Sequence, residues 1–72
     1  MINSIDVIQY ALKNRDKSKW PSLQFISESY GIGKNNLSRY NTGENEPSFN
    51  CVVGIVEMLG FDFCEVINEI NK

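Results

Sequence analysis

The chain has no histidine, two cysteines, two prolines and no apolar run of membrane-spanning length. Each shortage excludes a chemistry. Without histidine the commonest general base is gone, and neither a Ser–His nor a Cys–His nucleophile can be built. The usual zinc patterns fail for the same reason, and Cys51 and Cys64 form no C-x-x-C pair. No G-x-x-x-x-G-K-[ST] loop is present to cradle a phosphate. Carboxylates are scattered, with Glu44 and Glu46 alone close together in an apparent loop. The expectation is a protein that is not an enzyme and uses no metal and no cofactor. A bilayer span needs about 20 apolar residues, and the N-terminus lacks a basic start followed by an apolar block. The expected location is therefore the cytoplasm, with no membrane partner. In that reducing setting both cysteines read as small buried apolar residues, and a disulfide is the lesser alternative.

What is present is ordinary in amount and uneven in arrangement. The chain's 72 residues suit one small domain, 1–72, with 42% apolar and 22% charged residues. So small a fold holds one modest core, and pairing with a second copy would help stabilise it. The net charge is −2. Residues 13–39 carry Lys13, Arg15, Lys17, Lys19, Lys34 and Arg39 against Asp16 and Glu28, a balance of +4. Residues 40–72 carry Lys72 against six carboxylates, a balance of −5. A polyanion would be drawn to the first half and repelled by the second. The alternative is that both halves are simply solvated surface.

Short helical patterns punctuated by glycine fill nearly the whole chain. Asn3 can cap a first helix with Ile5, Ile8, Ala11 and Leu12 inward, and Asp6 suits the positive end of its dipole. Trp20-Pro21 interrupts any helix, because the residue before proline is pushed out of the α region. Ser22 caps a second helix with the stripe Leu23, Ile26 and Tyr30, which Gly31 ends. A third helix opens near Gly33 and stops at Gly43, with Leu37 and Tyr40 as its inward face. Ser48 caps a fourth, with the apolar face Phe49, Val52, Val53, Val56 and Leu59. Asp62 caps a fifth with Glu65 at its third position, and Phe63, Val66, Ile67 and Ile70 form its stripe. No alternating run argues for a strand. The pattern predicts an all-α fold of five short helices. The tight glycine turn between the second and third predicts a helix-turn-helix over about 22–43, whose second helix fits a DNA major groove. Tyr30, Phe49 and Trp20 lie on or near core stripes and read as core rather than as base-stacking platforms.

Residues 22–63 resemble the helix-turn-helix domain of the Cro/cI-type (XRE) repressors. The run "SESYGIGKNNLSRYNTGENEPSF" through to "MLGF" follows that family's pattern without a gap. The matching features are small Ser27 after aliphatic Ile26, Gly31 before Ile32, Leu37 with Ser38-Arg39, then Gly43, Pro47 and Leu59-Gly60. The resemblance implies a five-helix, lambda-repressor-like DNA-binding domain, usually a homodimer, that regulates transcription. There are departures. Leu23 stands where the family usually has a phosphate-touching glutamine, with Gln24 one residue later. Ser27 replaces a small alanine, Asn41 replaces a glutamate, and "KSKWP" lengthens the first link.

With Leu37 and Tyr40 turned inward, Lys34, Asn35, Ser38 and Arg39 are the expected readers of base edges. Lysine or arginine can donate to guanine, and asparagine can pair with adenine. Expected backbone contacts are Ser22 and Gln24 at a helix N-terminus, Asn36 at the edge of the third helix, and Asn41, Thr42 and Asn45 after it. Lys17 and Lys19 would add long-range attraction, or be plain solvated loop. Phe61, Phe63, Val66, Ile67 and Ile70 are the expected homodimer surface, on and just before a terminal helix over about 62–71. Two copies would then meet a near-palindromic double-stranded operator. A rival from another class remains open: a helix-turn-helix-fold adaptor or antirepressor that binds protein, favoured by the acidic second half and by Leu23.

Overall fold

Asn3 opens the first helix with a reciprocal pair of bonds. Its side chain accepts from the Asp6 N–H at 2.9 Å, and the Asp6 carboxylate accepts from the Asn3 N–H at 3.3 Å. In the computed structural model, which describes residues 2–72, this helix α1 spans Ser4–Asn14. Met1, the first residue of the expected 1–72 domain, lies outside the described residues. Ser22 accepts from the Phe25 N–H at 3.1 Å and starts α2, Leu23–Tyr30. Helix α3 is Lys34–Thr42. Ser48 caps α4, Phe49–Met58, through the Cys51 N–H, and Asp62 caps α5, Phe63–Ile70, through the Glu65 N–H. Such a cap is worth about 1 kcal/mol. Gly31 and Gly43 end α2 and α3 at φ +88° and +83°, where a side chain would be strained. Five helices and no strand are found among the described residues.

Helix α1 is the hub. It packs against α3, α4 and α5, while α2 packs on α3 and α4 touches α5. Val7, Ile8, Ala11 and Leu12 of α1 meet Ile26, Leu37, Val52, Ile55, Val56, Leu59 and Val66 in one core. Each fully buried aliphatic side chain contributes about 1.5–3 kcal/mol relative to exposure. Ser27 is the buried polar residue, and its hydroxyl donates to the Gln24 carbonyl at 2.9 Å, so its burial leaves nothing unpaired.

Four expectations about burial are corrected. Phe49 continues the α4 stripe three residues before Val52, yet it is 67% exposed. The stripe is real, but the first turn of α4 overhangs the end of the core. Val53, expected on the same face, is half-buried, and Ile55 is fully buried in its place. Cys64 is exposed, because it sits two positions from Val66, on the far side of α5. Cys51 is half-buried, and both thiols are free.

Candidate nucleic-acid interface

Helix α3 is held to the rest of the chain by one fully buried side chain, Leu37, with Tyr40 half-buried beside it. A helix turns about 100° per residue. That step puts Lys34, Asn35, Ser38, Arg39 and Thr42 on one arc facing away from Leu37 and Tyr40, and all five are exposed. Asn36, one turn before Tyr40, lies at the flank of this arc and is exposed as well. The four expected base-edge residues therefore share one outward face.

The start of α3 is chemically unusual. Gly33 offers no side chain to cap it, so its first N–H groups have no side-chain partner. Lys34 then places a cation at the positive end of the helix dipole, where an acid would be stabilising. Helix stability does not account for that lysine.

The exit of α3 is tied down from a distance. Gln9 of α1 donates from Nε2 to the Asn41 carbonyl at 2.8 Å, and Gly43 sits close to Gln9 and Ile5. Ser4 donates from Oγ to Glu46 Oε1 at 3.1 Å. Both links orient α3, and neither Gln9 nor Ser4 is evident from the sequence. Periodicity marks apolar faces and is silent on polar residues that bridge 32 or 42 positions.

The expected backbone contacts are all exposed, but several are already engaged. The Ser22 hydroxyl accepts the α2 cap bond. Gln24 donates from Nε2 to Glu28 Oε1 at 3.0 Å along its own helix, while Leu23 packs on the core. Thr42 donates from Oγ1 to the Arg39 carbonyl at 3.2 Å. Arg39 Nε lies 3.7 Å from Glu44 Oε2, with both side chains more than half exposed. Such a pair is worth about 0–1 kcal/mol and is easily exchanged. Lys17 and Lys19 are exposed in the loop after α1. Asp16 beside them accepts from the Ser18 N–H and hydroxyl, which hold its carboxyl below the usual value.

Two cations that sequence reasoning left out join this side. Lys13 and Arg15 line a shallow hollow with Leu12, Leu23 and Asn41, where the end of α1, the start of α2 and the end of α3 meet. Arg15 also donates to the carbonyls of Leu12 and Trp20, at 2.6 and 2.7 Å. Their charge sign was legible, but their place next to Asn41 depends on how α1 crosses α3.

The expected dimer residues divide. Val66 is 2% exposed and is spent on the chain's own core, because α5 packs that position against α1 and α4. Phe61, Phe63, Ile67 and Ile70 are half-buried at the surface. Phe61 rests edge-on against Tyr10 at 6.4 Å between ring centroids.

No cluster of three or more metal-ligating side chains is gathered among the described residues, and no helix there is long and apolar enough to cross a membrane. No protein family, curated protein or solved structure matches the chain.

Proposed function

We propose that the protein is a sequence-specific regulator of transcription that binds double-stranded DNA. In this reading residues 22–43 form a helix-turn-helix within a lambda-repressor-like domain of the Cro/cI type. The observation that carries it is α3 itself. It is anchored by Leu37 alone among fully buried residues, presents Lys34, Asn35, Ser38 and Arg39 outward, and begins with a cation that costs helix stability. Placed in a major groove, those four side chains reach base edges, each good bidentate contact giving about 1–3 kcal/mol of discrimination.

Ser22, Gln24, Asn36, Asn41, Thr42 and Asn45 then meet phosphates and set register without specifying sequence. Lys13 and Arg15 add charge in the hollow next to Asn41. Lys17 and Lys19 pull on an anionic surface at longer range. The phosphate contacts come mostly from neutral side chains, so affinity falls less steeply with salt than for a strongly basic binder. Copies pair through Phe61 and the half-buried surface of α5, namely Phe63, Ile67 and Ile70, and occlude a promoter as a repressor would. No catalytic step or cofactor enters.

The adaptor reading has one observation in its favour. Arg39 and Gln24 both hold acidic partners within the chain, Glu44 and Glu28. Selection of bound duplexes from a random pool separates the two. The DNA reading expects enriched sequences and salt-dependent binding. It expects Arg39→Ala to relax sequence preference and Lys19→Ala to weaken all duplexes alike. A pool that stays random at micromolar protein and low salt refutes it.

A further inference from the structure

Two large apolar side chains stand exposed among the described residues, Phe49 at 67% and Phe25 at 45%. Each lies edge-on against a half-buried aromatic partner. Phe25 meets Trp20 at 5.7 Å and Phe49 meets Phe63 at 5.5 Å between ring centroids. The pairs sit at opposite ends of α1, whose 11 residues span about 16 Å. Beyond its C-terminus, Trp20 and Phe25 form an apolar pair at the surface. At its N-terminus, Phe49 and Phe63 line an open groove of about 530 Å³ with Ile2, Val7, Val52 and Ile67.

The charge around the two is opposite. The patch follows the loop that carries Lys17 and Lys19, both exposed and neither in an ion pair among the described residues, with Asp16 as that loop's one carboxylate. The groove has Glu46, which accepts from Ser4, as its charged lining residue; most of its lining comes from the half of the chain that sums to −5, and the rest from residues 2–7.

We propose that the occupant of the groove is the Trp20–Phe25 patch of a second copy of this chain, with Lys17 and Lys19 turned toward the acidic half that carries Glu46. This rests on the reading above that copies pair at α5, and changes what α5 meets: Phe63 and Ile67 face the Trp20–Phe25 patch of the next copy rather than a second α5. A two-fold seam there sets one acidic half against another. The head-to-tail contact sets a cationic surface against an anionic one and covers both aromatic pairs, of the kind that marks interfaces when left exposed. Such a contact is heterologous, so copies add head to tail, in an open line unless the rotation between them closes a ring. Copies in line would read direct repeats.

The test needs no DNA, so it fails or succeeds apart from the DNA reading. Sedimentation of the whole chain at high micromolar concentration and low salt should show species beyond the dimer that shrink as salt rises. Phe25→Ser and Phe49→Ser alter exposed side chains, and circular dichroism checks that each stays helical. Each variant alone should be monomeric, and their equal mixture should form a dimer and nothing larger, since one keeps its groove and the other its patch. Lys17→Glu combined with Lys19→Glu, which alters no apolar side chain, should also abolish association. A monomeric wild-type chain overturns the proposal. So does a Phe25→Ser variant that associates as well as the wild type, the outcome expected of a two-fold seam.

Discussion

Gly54→Ala should destabilise this protein, although alanine is the better helix former. Gly54 lies inside α4, and Tyr30, the last residue of α2, packs directly on it. A Cβ built at Gly54 meets Tyr30 Cε1 at 2.8 Å and Cζ at 3.0 Å, with the hydroxyl oxygen nearer still. Propensity favours the substitution by about 1 kcal/mol. Overpacking opposes it by about 1–3 kcal/mol, because a rigid ring must tilt or α2 must back away. The net expectation is a loss of about 0–2 kcal/mol, and each lost kcal/mol lowers Tm by roughly 4–8 °C in a domain of this size. The sharper quantity is the coupling. In a Tyr30→Ala background the obstruction is absent, so the same substitution should stabilise by about 1 kcal/mol. Urea unfolding of the four proteins measures the cycle, with an expected coupling of about 1–3 kcal/mol. Equal stabilisation by Gly54→Ala in both backgrounds would refute the packing argument.

Lys34→Glu should raise stability by about 0.3–1 kcal/mol, by placing an acid at the positive end of α3, while abolishing duplex binding; thermal melts and fluorescence anisotropy read the two opposite effects, and loss of stability would contradict the account of Lys34. Glu44→Gln removes an exposed pair and should leave Tm nearly unchanged. With Arg39 freed and an acid gone, duplex binding should tighten several-fold by anisotropy, and weaker binding would remove Arg39 from the reading surface. A thiol reagent at mildly alkaline pH should modify Cys64 well before Cys51. Cys64 is exposed, whereas burial pushes the Cys51 thiol up, against a smaller opposite pull from the Tyr40 hydroxyl. Because the folded-state value of Cys51 is raised, any stability it contributes is full below the ordinary thiol range and fades as pH rises through the shifted value. Mass spectrometry of partly labelled protein gives the order, and faster labelling at Cys51 would show that α4 opens readily there.

The helix boundaries were legible because they depend on neighbours in the chain. Asn3, Ser22, Ser48 and Asp62 each cap the helix they precede, and Gly31 and Gly43 take the left-handed ends their positions call for. Those are local rules, satisfied within a few residues. Burial is a long-range property. Periodicity placed Phe49 and Val66 each on an apolar stripe, yet one overhangs the core and the other lies inside it. What separates them is which helices pack over each position, and no stripe records that. The same limit applies to the candidate site. The outward arc of α3 follows from Leu37 and Tyr40 alone, whereas the Gln9–Asn41 and Ser4–Glu46 links and the Lys13–Arg15 hollow exist only once α1 crosses α3.

Leu37 is the sole fully buried residue of α3, and it separates two kinds of change in this helix. The outward positions make no contribution to the core, so a library that randomises residues 34, 35, 38 and 39 together should yield mostly folded proteins. The hub formed by α1 would serve as a fixed handle and α3 as an interchangeable blade. New surface chemistry could then be written on the blade without redesigning the handle.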